Sequence, residues 1–213
     1  MSYLDIEQGS DAWKQIRIGK VTASRVADVV AKTKTGWGAS RANYLAELIA
    51  ERLTGEAAAS FTNAAMQWGT DKEPEARAYY EFRSDAEVAL VAFVDHPTIG
   101  MTGASPDGLV GDDGLIELKC PNTATHIETL LGDEIPAKYV TQMQWQMACT
   151  GRKWCDFASY DPRLPESMRL FVKRVNRDDT RIAELEKLVE AFLAELDGKV
   201  SALRSLYEQR EAA

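Results

Sequence analysis

Apolar residues recur at three- and four-residue intervals along the first eighty positions, which is the period of helices that each bury one face. The pattern predicts four helices, near residues 10–18, 22–31, 40–54 and 63–82. The third begins at a capping Ser40 and ends at Gly55, and the fourth is expected to bend or begin afresh at Pro74. The chain from about residue 8 to 83 is therefore predicted to be helical.

Short apolar runs bounded by turn residues follow from position 85 onward. They predict five strands, at residues 87–94, 107–110, 114–120, 152–161 and 167–175. Helical periodicity returns in HIETLLG, in residues 136–151 and from about 178 to 211. This order indicates an α/β or α+β fold, with a central mixed sheet over about 85–176 flanked by helices. The C-terminal helix, about 178–211, can be solvated, packed on the core or part of a subunit contact.

Composition narrows the class of protein. The chain has 213 residues, 45% of them hydrophobic, which is enough for one domain (1–213) with a complete core. No apolar run approaches the roughly 18 residues of a membrane span, and the first residues lack the pattern of a signal peptide, so we expect a cytoplasmic protein without a membrane partner. The three cysteines form no C-x-x-C pair, which argues against a disulfide framework, a zinc site or an iron–sulfur cluster.

The charge is unevenly distributed. The net charge of -8 would ordinarily argue against a nucleic-acid partner. Between residues 12 and 46, however, seven basic residues face a single acid, Asp28, which leaves a local excess of six positive charges. The basic residues are Lys14, Arg17, Lys20, Arg25, Lys32, Lys34 and Arg41. An anion-binding surface in this segment is therefore compatible with the acidic average.

The stretch ASPDGLVGDDGLIELKCP (104–121) carries the candidate chemistry. The GDDG turn lets the chain return, so that Glu117 in one strand comes alongside Asp107 at the end of its neighbour. Lys119 lies on the same face as Glu117 because strand side chains alternate, and the carbonyl of Leu118 remains available as a further oxygen ligand. Clustered carboxylates raise one another's pKa unless a cation compensates, and such hard ligands suit Mg²⁺ or Mn²⁺. The alternative is a surface ion pair.

Three further stretches add polar groups to this hypothesis. Glu73, on the helix before the sheet, is a further carboxylate, with Glu75 as the competing candidate. After the Glu117 strand, Tyr139, Gln142 and Gln146 recur on one helical face, where they can contact metal-bound water or phosphate. In the basic segment, Arg17 precedes a glycine turn, and Thr22 and Ser24 lie at an expected helix N-terminus, a site for anions.

Six ordered blocks carry a resemblance to a known family: GSDAWKQIRIGKVTASRV, WGTDKEPEAR, ASPDGLV, IELKCP, YVTQMQWQM and FASYDPR. Together they resemble the phage lambda exonuclease family, the YqaJ-type viral recombinases of the PD-(D/E)XK nuclease superfamily, over about residues 7 to 200. The resemblance implies a restriction-endonuclease-like core. It further implies a Mg²⁺-dependent, two-metal 5′-to-3′ exonuclease that degrades one strand of linear duplex DNA to mononucleotides and leaves a 3′ single strand for a phage annealing protein. A ring-shaped homotrimer in the bacterial host is implied as well.

The resemblance also implies roles for single residues. Asp107, Glu117 and the Leu118 carbonyl are implied as metal ligands, and Lys119 as the lysine that activates water. Glu73 is implied as the helix carboxylate, Gln142 as a helper polar group, and Arg17 with Ser24 as 5′-phosphate contacts. Thr22, at the expected anion site, and Tyr139, on the polar face of its helix, are further candidates for DNA contacts. Two alternatives remain: an endonuclease that cuts closed circles with the same residues, and a DNA-end-binding scaffold without turnover.

Overall fold

The computed structural model describes residues 2–3, 6–58 and 63–207, so the end of the predicted last helix (208–211) lies outside the described residues. Seven helices are present there: α1 Asp11–Gln15, α2 Val26–Val29, α3 Ala39–Thr54, α4 Ala64–Ser84, α5 Thr123–Gly132, α6 Ala137–Thr150 and α7 Asp179–Tyr207. The strands are β1 Ser2–Tyr3, β2 Val21–Thr22, β3 Lys32–Thr33, β4 Gly36–Trp37, β5 Val88–Ala89, β6 Phe93–Asp95, β7 Thr102–Ala104, β8 Gly108–Val110, β9 Gly114–Lys119, β10 Trp154–Tyr160 and β11 Leu170–Asn176.

A five-stranded sheet in the order β11-β10-β9-β8-β5 forms the centre. β9 and β10 run parallel, whereas the other neighbours are antiparallel. A second sheet, β1-β6-β7-β2, and the β3-β4 hairpin complete the strands of the described residues. The predicted mixed sheet flanked by helices is thus confirmed.

Helices cover both faces of the central sheet, and its middle strand, β9, is therefore buried on both sides. On one face, Ile116 and Leu118 pack against Ala76 and Tyr80 of α4. On the other face, Leu115 packs with residues of α6 such as Met143 and Met147. Alternation along β9 therefore directs residues 115, 117 and 119 toward α6. A third cluster joins α2, α3 and α7, with Leu185, Val189 and Phe192 of α7 fully buried.

Several predicted boundaries were wrong. The run 87–94 is divided between β5 and β6, which belong to different sheets, because residues 90–92 leave one sheet and enter the other. The expected helix 22–31 is a 3-10 turn, Ala23–Arg25, followed by the four residues of α2. Five strands of two or three residues, β1 to β4 and β7, went unpredicted because segments of that length contain no measurable period.

Two details of the helix predictions, the N-cap of α3 and a restart of α4 at Pro74, were also wrong. α3 has its N-cap at the extended Gly38, not at Ser40, and the Gly38 N–H donates to the Ala31 carbonyl at 2.9 Å. α4 continues through Pro74 without a restart, and residues on both sides of it belong to one helix of 21 residues. The packing of Ala76 and Tyr80 on the sheet outweighs the one N–H that proline lacks. In the described part of the chain, no helix has the length and apolar character required to cross a bilayer.

Candidate active site

Asp107 and Glu117 are adjacent at the open end of the β8–β9 hairpin. The antiparallel register pairs Gly108 with Ile116, so the next pair outward consists of the two acids. Asp107 Oδ2 accepts a hydrogen bond from the Leu118 backbone N–H at 2.7 Å, which fixes its carboxylate against β9. The juxtaposition expected from the turn is therefore present.

Glu117 is fully buried, and both of its oxygens have donors. Gln142 Nε2 donates to Oε1 at 2.7 Å, and Gln146 Nε2 donates to Oε2 at 2.6 Å. The two glutamines are four residues apart on α6, so they present their amides on one helical face. These donors replace the hydrogen bonds to water that the carboxylate loses on burial, a loss that is costly for a charged group without partners.

The ammonium of Lys119 lies where the oxygens of the site converge. Lys119 Nζ donates to the Leu118 carbonyl at 3.0 Å, forms an ion pair with Glu117 and lies 3.9 Å from Asp107 Oδ2. Burial by itself lowers the pKa of Lys119, but the negative charges of Glu117 and Asp107 outweigh it and raise the pKa above its usual value. Three oxygen donors are thus arranged around one positive charge.

The pKa of Asp107 is raised well above its usual value. Burial is the largest cause, followed by the charge of Glu117, while Glu73 raises it further and Lys119 opposes these effects. Ionisation of Asp107 beside Glu117 is therefore costly, and Lys119 and the Leu118 N–H offset only part of that cost. Additional positive charge at this point would stabilise the pair.

Glu73 and Glu75 face different surroundings although they are two residues apart on α4. Glu73 lines a cavity of about 790 Å³ together with Asp107. Glu75 instead accepts from Tyr160 Oη at 2.9 Å and pairs with Lys72 at 2.8 Å, away from that cavity. Of the two candidates, Glu73 is the one near the acids of the hairpin.

The donor set fits a hard divalent cation. The described residues contain no group of three or more His, Cys, Asp and Glu side chains arranged to hold a metal. Asp107, Glu117 and the Leu118 carbonyl nevertheless provide two carboxylates and one neutral oxygen that already surround a cation, the ammonium of Lys119. Oxygen donors of this kind are the ligands of Mg²⁺ and Mn²⁺.

The site opens on two sides. The acidic cleft, the 790 Å³ cavity, is bordered by the N-terminal segment, α4 and the loop before β6, and it contains Glu7, Glu73 and Asp107. The lysine pocket, a cavity of about 490 Å³, is lined by Ser24, Ala27, Asp28, Lys119, Lys138, Tyr139 and Gln142. Four of the residues singled out in the sequence, Ser24, Lys119, Tyr139 and Gln142, therefore share one pocket. The Tyr139 ring lies 5.4 Å from Lys119 Nζ and stacks on Phe157.

Arg17 is not among the residues that line the lysine pocket. Its guanidinium lies 3.7 Å above the ring of Trp13, a residue of the acidic cleft. Its Nε is buried and has no hydrogen-bond partner in the described residues. Burial lowers the pKa of Arg17, against the opposing charges of Tyr44 and Glu51.

The helix N-terminus expected beside Thr22 is not available as predicted. Thr22 is buried, and its backbone N–H donates to Tyr44 Oη at 3.2 Å. The following turn and α2 are short, so the aligned peptide dipoles that favour an anion are few. The Thr22 hydroxyl does lie 3.4 Å from the hydroxyl of the exposed Ser24.

The basic segment is less cationic than its composition indicates. Four of its seven bases form ion pairs: Lys14 with Asp11, Lys20 with Asp95, Arg25 with Asp28 and Glu47, and Arg41 with Glu195. Within the described residues, Arg17, Lys32 and Lys34 have no such ion pair.

Sequence reasoning gave less weight to two residues that the structure brings to the site. Gln146 was noted on the polar face of α6, and its spacing of four residues from Gln142 was the signal that both contact one group. Arg77 went unnoticed because an arginine four residues after a glutamate is ordinary on an exposed helix. It lies in the acidic cleft, where Nη2 donates to Glu73 Oε1 at 2.9 Å.

Comparison with known proteins gives a family match and several similar structures. The model of the YqaJ-like viral recombinase domain matches residues 12–153. No curated protein sequence matches the chain.

Among solved structures, the alkaline exonuclease LHK-Exo from Laribacter hongkongensis is 54% identical, with a TM-score of 0.88 over 96% of this chain and 100% of the relative. Its complex with dAMP is also 54% identical, with a TM-score of 0.89 and the same coverage. A phage-related exonuclease from Haemophilus somnus 129PT is 16% identical, with a TM-score of 0.71 over 89% of this chain and 99% of that one, a likeness of fold alone.

Proposed function

Because this chain belongs to the YqaJ-like viral recombinase family, we propose that it is a Mg²⁺-dependent exonuclease that degrades one strand of linear duplex DNA from its 5′ end. The observation that carries the proposal is the convergence of Asp107, Glu117 and the Leu118 carbonyl on Lys119 Nζ. The alkaline exonuclease at 54% identity over nearly the whole chain supports it. The dAMP complex of the same relative supports deoxynucleoside monophosphates as products.

Each residue of the site has a distinct task in this reaction. Asp107, Glu117 and the Leu118 carbonyl would hold the cation, and Gln142 and Gln146 hold Glu117 in place. When bound, Mg²⁺ supplies positive charge that polarises phosphate oxygens and favours ionisation of water in two-metal phosphodiester hydrolysis. Lys119 Nζ, on the side of the lysine pocket, orients the attacking water and donates hydrogen bonds to phosphate oxygens. Mn²⁺ is expected to replace Mg²⁺ because it accepts the same ligands.

The proposal is tested with linear duplex labelled separately at its 5′ and 3′ ends, with and without Mg²⁺, beside a covalently closed circle. The expected result is loss of the 5′ label as mononucleotide, only with the cation, and an intact circle. Asp107→Asn keeps the shape of the side chain but removes a charged ligand, so it should be folded and at least about 100-fold slower. Nicking of the circle would identify an endonuclease, and binding of ends without turnover would identify a scaffold.

Direction is proposed to come from Arg17, whose buried Nε lacks a partner in the described residues. A guanidinium matches the oxygens of a terminal phosphate, and Ser24 offers a hydroxyl next to the lysine pocket. In the same assay, wild type should prefer 5′-phosphate over 5′-hydroxyl ends, and Arg17→Ala should lose most of that preference. Lys14→Ala, in the same basic segment but exposed and paired with Asp11, is the matched control. An equal loss on both ends in Arg17→Ala would reduce Arg17 to general attraction of DNA.

The partners are proposed on the family alone. We infer that three chains form a ring around the duplex and that the 3′ single strand is delivered to a phage annealing protein. A ring can keep acidic residues outside and basic residues in its bore, so the net charge of -8 does not oppose DNA binding.

A further inference from the structure

The acidic cleft has an unbalanced set of charges. Among the described residues, its lining includes three acids, Glu7, Glu73 and Asp107, and one base, Arg77. Arg77 is one helical turn beyond Glu73 on α4, and its side chain is 18% exposed. A DNA strand that enters this cleft would therefore meet more negative than positive side chains, with Arg77 as the positive charge that this lining offers.

The ion pair with Glu73 does not account for the position of this arginine. Nη2 donates to Glu73 Oε1 at 2.9 Å, but Nε is buried and has no hydrogen-bond partner in the described residues. An ion pair at this helical spacing stabilises a helix only slightly, whereas a buried donor without an acceptor costs the full desolvation of that group. The cost exceeds the gain, so a ligand that accepts from Nε is the simplest explanation of why this guanidinium is held inside the cleft.

We propose that Arg77 binds a phosphate of the DNA strand under degradation, one or more linkages beyond the bond that is cut. The inference rests on the exonuclease function proposed above. Nε and the Nη donors not used by Glu73 offer forked hydrogen bonds that match two phosphate oxygens. The phosphate supplies the acceptor that Nε lacks, and Arg77 supplies the positive charge that the cleft lacks.

The same geometry assigns Glu73 as a positioning residue. Glu73 Oε1 accepts from Nη2 of Arg77 at 2.9 Å, and Glu73 lines the acidic cleft together with Asp107. Glu73 therefore lies beside both the phosphate contact and one of the cation-binding acids. Glu73 thus fixes the direction in which the guanidinium points, and it need not touch substrate.

The test uses 5′-phosphorylated linear duplexes in which the second, third or fourth linkage of the degraded strand is a neutral methylphosphonate. The first linkage is the one cut and stays natural. Removal of the first nucleotide is measured under single turnover for wild type, Arg77→Ala and Arg77→Lys, with thermal unfolding as the check on folding. In wild type, the neutral linkage at one position should slow the reaction by about 10- to 100-fold, the effect of losing one charge-assisted contact. Arg77→Ala should be slowed by a similar factor on the natural strand, with no further loss at that position.

Arg77→Lys keeps the charge and can keep the pair with Glu73 but lacks the fork, so it should retain the sensitivity only in part. Lys72→Ala is the matched control. It removes the i,i+3 ion pair between Lys72 and Glu75, which lies on the same helix but outside the cleft, and it should behave as wild type. Binding of the natural and neutral strands to Arg77→Ala in an Asp107→Asn background, by fluorescence anisotropy, gives the same comparison without turnover.

Two results would overturn the assignment. One is an equal slowing of wild type and Arg77→Ala by the neutral linkage at every position, which would make Arg77 a structural ion pair. The other is a wild type that is insensitive at all three positions. If wild type fails to degrade the fully natural duplex, the proposed exonuclease function itself fails, and the two failures are thereby distinguished.

Discussion

Glu117 shows how closely the site depends on single side chains. A carboxylate with no exposure to solvent is stable when donors satisfy both oxygens, and here Gln142, Gln146 and Lys119 do so. Gln146 is itself fully buried, and its own Oε1 lies 3.8 Å from the Cys155 thiol, a weak donor. The Cys155 thiol thus helps to fix the orientation of the Gln146 amide, so that its Nε2 faces Glu117.

Replacement of Gln146 by Leu is expected to weaken both folding and cation binding. The lost donor leaves a buried charged oxygen unsatisfied, which should lower the free energy of unfolding by about 1–3 kcal/mol. Loss of a group that orients a metal ligand typically costs about 10- to 100-fold in metal affinity, so Mg²⁺ affinity, measured by calorimetry, should fall by about that factor.

Gln144→Leu is the control for this prediction. Gln144 is a buried glutamine of the same helix. Its side-chain amide donates to the Asn176 carbonyl and accepts from the Asp178 backbone N–H, away from Glu117. This variant should lose similar stability and keep its Mg²⁺ affinity. Equal Mg²⁺ affinity in both variants would show that Gln146 has no part in orienting Glu117.

At the scale of elements, the β8–β9 hairpin determines the distance between the two acids. Its register is held at the turn by Arg152, whose Nη1 donates to the carbonyls of Val110 at 3.3 Å, Gly111 at 2.7 Å and Gly114 at 2.7 Å. Gly111 has φ of +51°, a conformation that favours glycine. The turn and the arginine together keep Asp107 opposite Glu117.

Arg152→Ala should therefore destabilise the hairpin. Three carbonyls lose a shared cationic donor, and we expect the free energy of unfolding to fall by about 1–3 kcal/mol, measured by denaturant titration. Lys153→Ala is the neighbouring control. Its side chain is exposed and pairs with Asp113 of the same turn, so the change should stay within about 0.5 kcal/mol. An Arg152→Ala protein as stable as Lys153→Ala would exclude a clamping role.

At the scale of the whole molecule, the net charge of the chain bears on how it can hold DNA and hence on its proposed assembly. The chain is acidic on average, and most bases of its N-terminal segment are consumed by ion pairs within the chain. Attraction of DNA by one chain is therefore expected to be weak at physiological salt. The proposed ring would compensate, because a duplex held by enclosure does not have to be recaptured after each cut.

The assembly prediction is a mass of about 71 kDa in solution, three chains of 23.6 kDa, measured by sedimentation equilibrium. When a heparin trap is added after the reaction has begun, degradation should continue for long tracts. Added salt should slow the start of degradation more than its continuation, since only the encounter depends on screened attraction. A mass of one chain, or arrest by the trap, would contradict the ring.

Much of this fold and site could be predicted from the chain. The periods of α3, α4, α6 and α7 and the runs of β9 to β11 are long enough to identify each element, and β8 is identified by the turn that joins it to β9. The predicted PD-(D/E)XK-like core and family are confirmed by the relatives. The proximity of Asp107 and Glu117 was predictable because a short turn between two strands leaves few registers. The place of Lys119 beside Glu117 follows from alternation alone.

Other features were decided only by tertiary structure, because they depend on contacts between residues that are distant in sequence. The choice of Glu73 over Glu75 depends on which face of α4 is turned toward the hairpin. The period of a helix does not determine how the helix is rotated about its axis relative to a distant loop. The pairing of Thr22 with Tyr44 and the capture of basic residues by Asp95 and Glu195 are long-range as well. Sequence determines which groups are available. Packing decides which of them meet, since burial leaves a polar group only the partners that the fold brings within hydrogen-bond distance.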